Sequence, residues 1–236
     1  MRFPVYFFTS FLEVLFPSLC LKCGKNVDSG KALCAKCFAD IPLNRSLFCG
    51  SCGARLPYGQ KICHFGFPYI LGAAADYKNE TARNLVRELK FGFIKSSASQ
   101  LAELLAVYSE NTGFVGTEND WIVIPVPLGK KRLRQRGFNQ AALIADIFAE
   151  RFSLETEKGA LLRKKETEPQ SEIKNFESRV KNAENCFEVV APEKISGKNI
   201  IIIDDVSTSG ATFFEAASSL KKAGARKIFA LAAAKG

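Results

Sequence analysis

Two groups of residues in this sequence have types and spacings that could do chemistry. The first lies in the run NIIIIDDVSTSGAT, which starts at Asn199 and contains Asp204, Asp205, Ser207, Thr208, Ser209, Gly210, Ala211 and Thr212. Small residues in such a loop let backbone N–H groups approach a phosphate, and a helix starting at Ala211 would add its positive end. Gly210 can take a positive φ that other residues resist. The hydroxyls of Thr208, Ser209 and Thr212 can donate further hydrogen bonds. Two carboxylates just before a phosphate cradle suit a pair of ribose hydroxyls, or a metal near them. The plainer alternative is an ordinary strand-to-helix turn with acidic caps.

The second group is cysteine. Seven of the eight cysteines fall between Cys20 and Cys63. Cys20-Leu-Lys-Cys23 and Cys34-Ala-Lys-Cys37 are two CxxC knuckles separated by ten residues. Each knuckle presents two sulfurs from one side, and two knuckles complete a tetrahedral Cys₄ zinc site. Without a secretion signal, this spacing favours structural zinc over disulfides. Cys49-Gly-Ser-Cys52 opens a second copy, since CGSCGARLPYGQKIC is similar to CLKCGKNVDSGKALC. The second copy has Gly66 where the first has Cys37, which leaves Cys49, Cys52 and Cys63 with His64, the single histidine. A Cys₃His site and a knuckle that has lost its metal both stay open, because adjacent ligands rarely close a tetrahedron comfortably.

Cations supply a third ingredient. Lys130, Lys131, Arg132, Arg134 and Arg136 form the densest basic run and lead into Gly137-Phe138-Asn139-Gln140. They follow a buried strand, where α/β sites lie, and five cations there suit a pyrophosphate. Lys90 sits at a helix C-terminus, where lysine is favoured anyway. The net charge of +9 favours anionic partners: phosphates, nucleotides, nucleic acid or acidic lipid.

These residues need elements to position them. Ile200 to Ile203 read as a strand buried on both faces, as in a parallel sheet. A helix then runs from Ala211 to about Lys222, with Phe214, Ala217 and Leu220 on one face. Upstream, YILGAAADY reads as a strand, and Asn79 caps a helix through Lys90 with Leu85, Val86 and Leu89 inward. Ser97 to Tyr108 is a second helix, Trp121 to Pro125 a buried strand, and Gln140 to Phe152 a helix with Leu143, Ile144, Ile147 and Phe148 facing the core. Leu161 and Leu162, Phe187 to Val190, and Lys227 to Ala233 give further strands. Between them, Arg163 to Asn185 is polar and reads as a mobile loop or lid. The order implies an α/β protein with a parallel sheet and helices on both faces. Residues 1–66 form an N-terminal aromatic helix plus zinc-knuckle module, and 67–236 the α/β domain.

The N-terminal helix covers residues 5–16, with Phe7, Phe8, Phe11, Leu12 and Leu15 on one face. That face could dock on the protein's own body, on a partner, or on a membrane surface. Pro4, Glu13 and Pro17 interrupt the apolar stretch, which lacks a cleavage site and is too short to span a bilayer easily. The expected location is cytoplasmic, with peripheral contact to the inner membrane as an option.

The run from Asp204 to Thr212 resembles the 5-phosphoribosyl 1-pyrophosphate (PRPP) loop of type I phosphoribosyltransferases. More widely, the cysteine knuckles resemble the ComF (ComFC) family of double-zinc-finger, phosphoribosyltransferase-like competence proteins. So do Pro125 to Leu128, Arg132 to Ala141, the set Arg163, Thr167, Gln170, Arg179 and Asn182, and Asp204 to Thr212. The resemblance covers nearly the full length. It implies a type I phosphoribosyltransferase-like sheet, with Asp204 and Asp205 on the ribose hydroxyls as catalytic-site residues. Ser207 to Thr212 would hold the 5-phosphate, and Arg132, Arg134, Arg136 and Lys90 the pyrophosphate. Arg163, Thr167, Gln170, Arg179 and Asn182 would belong to the flexible loop. It further implies Mg²⁺ with PRPP and attack by an acceptor nitrogen on an oxocarbenium-like C1. The second cysteine cluster departs from the many relatives that complete it with CxxC.

Two functions follow from this resemblance. One is a PRPP-binding phosphoribosyltransferase of unnamed acceptor that serves competence and DNA uptake. The other is a non-catalytic PRPP-binding module that handles single-stranded DNA through basic residues and zinc knuckles. For the latter, Phe48, Tyr58, Phe65 and Phe67 could stack on bases or pack in the core. A third option is an adaptor docking on the uptake machinery through the aromatic helix.

Overall fold

The computed structural model describes residues 18–56, 63–64, 66–92, 96–114, 121–165 and 185–236. The expected helix over 5–16 lies outside them, as do Tyr58, Phe65, Thr167, Gln170, Arg179 and Asn182. In chain order the first elements are α1 (Ala35–Ala39), β1 (Leu47–Cys49), β2 (Arg55–Leu56), β3 (Ile70–Asp76), α2 (Glu80–Arg87) and α3 (Ser96–Thr112). Next come β4 (Trp121–Pro125), α4 (Lys130–Arg136), α5 (Gln140–Arg151), β5 (Glu155–Thr156), β6 (Leu161–Arg163) and β7 (Phe187–Val189). The last are β8 (Asn199–Ser207), α6 (Ala211–Lys222) and β9 (Lys227–Lys235).

The main sheet has the order β2-β1-β3-β9-β8-β4-β5. Its strands from β3 to β5 run parallel, while β1 and β2 add antiparallel strands at one edge. The isoleucine run behaves as expected: Ile200 to Ile203 are all buried, with side chains alternating between the two faces. Ile201 and Ile203 face Leu85, Leu101, Leu105, Ile144 and Phe148 from α2, α3 and α5. Ile200 and Ile202 face Phe213, Ala216, Ala217 and Leu220 of α6, together with the hairpin of β6 and β7. The mixed α/β architecture with helices on both faces is therefore present. Burying each such side chain contributes roughly 1.5–3 kcal/mol.

Several details differ from the sequence reading. The carboxylates lie inside β8, because the strand continues through Asp204 and Asp205 to Ser207. The buried face of α6 is led by Phe213; Phe214, expected on it, is half-buried. The basic run folds as a short helix, α4. Gly137 ends it at φ 72°, donating its N–H to Leu133 O at 2.8 Å. Asn139 then caps α5 by accepting from Ala141 N, and its amide donates to Val126 O at 3.0 Å. The Gly-Phe-Asn-Gln segment thus pins α4 to the end of β4.

The cysteine-rich segment is joined to the α/β body at several points. In the first repeat, Ala32 N and Leu33 N donate to Gln100 Oε1 on α3 at 2.8 and 2.7 Å, and Gln100 Nε2 returns a bond to Leu33 O. In the second repeat, β1 pairs directly with β3. Among the described residues no helix is long and apolar enough to cross a membrane.

Candidate functional site

A cavity of about 570 Å³ opens at the C-terminal ends of β4 and β8. That end of a parallel sheet is where α/β proteins bind ligands. Its floor is Asp204, Asp205 and Ser207, and Thr208, Gly210 and Thr212 form one wall. Helix α4 contributes Arg132, Gln135 and Arg136, which share one face at i, i+3 and i+4. Arg163, Gln140, Lys90 and Phe91 complete the lining. Most sequence-predicted residues of the described chain therefore converge. Arg134 does not, because it projects from another side of α4 and is exposed. Ser209 and Ala211 stand behind the wall, with Ser209 Oγ accepting from Ala211 N at 3.4 Å.

The loop is built for close backbone approach. Gly210 has φ 77°, and its carbonyl accepts Phe214 N at 2.8 Å to start α6. Three polar atoms on the cavity residues are buried with no hydrogen-bond partner among the described residues: Asp205 Oδ2, Ser207 Oγ and Gln140 Oε1. Buried polar groups are nearly always satisfied, so this trio points to a ligand that hydrogen-bonds there.

Lys90, expected at the pyrophosphate, lines the cavity and makes a contact that the sequence did not indicate. It ion-pairs with Asp205 Oδ1 at 2.7 Å. It gets there through a π-helical turn, Glu88–Gly92, that continues α2, buries Leu89 and carries Lys90 towards the site. Such turns recur at functional sites. Phe91, 68% exposed, lies at the cavity beneath Arg136, whose guanidinium sits 5.6 Å from the ring centre. Burial, followed by the neighbouring charge of Asp205, pushes the Asp204 carboxyl up to about 7, with Lys90 pulling the other way. Asp204 Oδ1 also accepts Asp205 N at 2.8 Å.

The cysteines form two clusters. Cys20, Cys23, Cys34 and Cys37 bring one ligand atom each to within 4.8 Å of one another, and so do Cys49, Cys52, Cys63 and His64. None of the eight cysteines is in a disulfide. In the second cluster His64 Nδ1 lies 3.3 Å from Cys63 Sγ and 3.5 Å from Cys49 Sγ, so adjacency does not prevent convergence. Burial alone would raise Cys49, but N–H and thiol donors around it outweigh that and bring it down to about 6. A softened thiolate among neighbouring thiols is the donor set zinc takes. Of the aromatics near the knuckles, Phe48 is in the core, and Phe67 packs between Tyr69 and Phe214.

Sequence reasoning missed Tyr69 and Gln140. Tyr69 reads as one more apolar strand residue, and Gln140 as a helix start. The only signal for Gln140 was its place after the basic run.

This cavity at a strand-loop-helix junction, together with the paired cysteine module, defines an α/β protein with a mostly parallel sheet and an N-terminal zinc ribbon module. A family model described as a double zinc ribbon domain matches residues 11–65. DNA utilization protein YhgH of Escherichia coli K12 is 28% identical over 214 residues, which span 89% of this chain and 87% of that protein. Competence protein F of Haemophilus influenzae is 26% identical over 89% of this chain and 93% of its own length. Competence protein ComFC of Bacillus subtilis is 29% identical over 62% of this chain and 56% of its own. These similarities support the ComF family for this chain. Among solved structures, a glutamine PRPP amidotransferase from B. subtilis is 18% identical with a TM-score of 0.38, over 59% of this chain and 26% of that one. The ribbon match and both clusters support structural zinc.

Proposed function

We propose that the chain binds PRPP in this cavity and transfers its phosphoribosyl group to an acceptor, in the service of competence and DNA utilization. The observation that carries this is the trio of unpartnered buried atoms on Asp205, Ser207 and Gln140, flanked by Arg132 and Arg136. In this reading Asp204 and Asp205 accept hydrogen bonds from the ribose hydroxyls. The loop from Ser207 to Thr212 cradles the 5-phosphate with backbone N–H groups and hydroxyls. Arg132 and Arg136 stabilise the leaving pyrophosphate as its charge develops, and Arg163 closes from the hairpin side. Mg²⁺ carried with PRPP would offset the remaining negative charge. The loop residues Thr167, Gln170, Arg179 and Asn182 would cover the ligand, and the protein would work in the cytoplasm.

The names of the relatives favour a second reading, in which PRPP is a ligand and single-stranded DNA the cargo. Calorimetry with PRPP and Mg²⁺ tests the shared premise. Pyrophosphate release with a panel of nitrogen acceptors separates the enzyme from the binder. Salt-dependent binding of labelled single strands tests the DNA role. A protein that binds no PRPP would sink both readings.

A further inference from the structure

Tyr69 stands where the second cysteine repeat enters β3, and it is 2% exposed. Its hydroxyl lies 3.4 Å from Gly50 O and 3.3 Å from Gly210 O. Gly50 sits inside the Cys49-Gly-Ser-Cys52 knuckle, and Gly210 inside the loop that walls the cavity. Both glycines make room for this side chain. A Cβ on Gly50 would lie 2.6 Å from the Phe67 ring and 2.7 Å from the Tyr69 ring, and one on Gly210 would lie 2.8 Å from the Tyr69 hydroxyl. The ring also joins an aromatic row: Phe67 is 5.1 Å from Tyr69 and 5.4 Å from Phe214, and Tyr69 is 6.1 Å from Phe213 in the first turn of α6.

We propose that Tyr69 is a positioning residue that couples the second metal cluster to the loop 207–212. Metal on Cys49, Cys52, Cys63 and His64 fixes the knuckle, and the knuckle fixes the wedge. The wedge then holds the Gly210 carbonyl, from which the first turn of α6 is hung. The cost of ordering the loop for an anion falls when the knuckle is already ordered. The coupling is reciprocal, so an anion in the loop must tighten metal in the second cluster by the same factor. This rests on the PRPP reading for the identity of the anion, but the mechanical link does not need it.

The test uses the full zinc-loaded chain, Cys52→Ser and Tyr69→Phe. Amide exchange at Ser209 to Thr212 should quicken by at least about fivefold in both variants, with zinc content unchanged in Tyr69→Phe. PRPP should slow chelator extraction of one zinc equivalent from the wild type, and Tyr69→Phe should abolish that protection. Loop exchange equal to wild type in both variants would overturn the coupling, and so would PRPP protection that survives in Tyr69→Phe. If the wild type binds no PRPP, the functional reading fails, and the exchange experiment still decides the coupling.

Discussion

Lys90 Nζ lies 2.7 Å from Asp205 Oδ1, and this ion pair crosses the floor of the cavity. Asp205 is 4% exposed in its side chain and Lys90 21%, so the carboxylate depends on the lysine more than the lysine on it. Removing one partner of a buried pair costs more than the pair contributes, because a charge is left stranded. Lys90→Met should destabilise the unliganded protein by about 2 kcal/mol, less than for a fully buried pair because Lys90 keeps some contact with water. In the PRPP reading, magnesium partly replaces the lysine, so saturating Mg²⁺ and PRPP should narrow the gap. Thermal unfolding of both proteins with and without ligand checks this; an equal gap in the two conditions would count against it.

Asp204 gives the site a pH dependence. Burial and the charge of Asp205 hold its carboxyl up at about 7, against 3.8 unperturbed. The folded chain therefore keeps a proton that the unfolded chain has lost, and stability falls as pH rises through that window. The penalty is absent below the lower value and complete above the upper one. Asp204→Asn should flatten this part of the stability profile. It should also flatten the rise in Mg²⁺-PRPP affinity expected as pH increases through about 7. Glu157, held below its usual range by Lys194, slopes the other way, so the informative curve is wild type minus variant. Parallel profiles for the two proteins would show that Asp204 titrates normally.

Much of this arrangement was legible in the sequence, for reasons that can be traced to particular residues. A run of four isoleucines can only be satisfied by cover on both faces, which fixes β8 as a central strand. The knuckle spacing likewise fixes two sulfurs per turn. What was not legible depends on packing between distant segments. The Lys90 partner lies far along the chain, and a π-helical turn set by burial of Leu89 aims the lysine. The facing of α4 decides that Arg132 and Arg136 enter the cavity while Arg134 does not, and a cluster of cations alone does not reveal facing. Tyr69 carries no polar neighbours in sequence to mark it as anything but core.

The cysteine clusters predict two equivalents of zinc in protein purified without chelator. Cys34→Ser should lose one and loosen the first repeat, which is still held by the Gln100 contact with Ala32 and Leu33 and by Leu33 and Ile41 in the core. Zinc binding supplies on the order of 10 kcal/mol in small zinc modules, so the repeat should become protease-sensitive while the α/β sheet stays folded. Cys63→Ser should lose the other equivalent. Elemental analysis with limited proteolysis decides; a metal-free chain with both repeats protected would refute structural zinc.

The loop and the carboxylates make separable contributions to PRPP binding, and two variants distinguish them. Asp204→Asn with Asp205→Asn keeps shape and removes charge. Asp205 is buried with one oxygen unpartnered, so the amide should be tolerated in the unliganded fold apart from the loss of its pair with Lys90. PRPP affinity with Mg²⁺ present should fall at least tenfold, or about 1.4 kcal/mol. Gly210→Val acts through sterics instead. Its backbone sits at φ 77°, where a β-branched residue is strained, and its Cβ would press on the Tyr69 hydroxyl. Affinity should drop at least as far, and the loss should persist for ribose 5-phosphate, which lacks the pyrophosphate. The carboxylate variant should lose less for that ligand, because it no longer forfeits the charge match with pyrophosphate-bound Mg²⁺. Calorimetry of the wild type and both variants with the two ligands separates the contributions. If the double variant binds PRPP as tightly as wild type, the ribose is not held by Asp204 and Asp205.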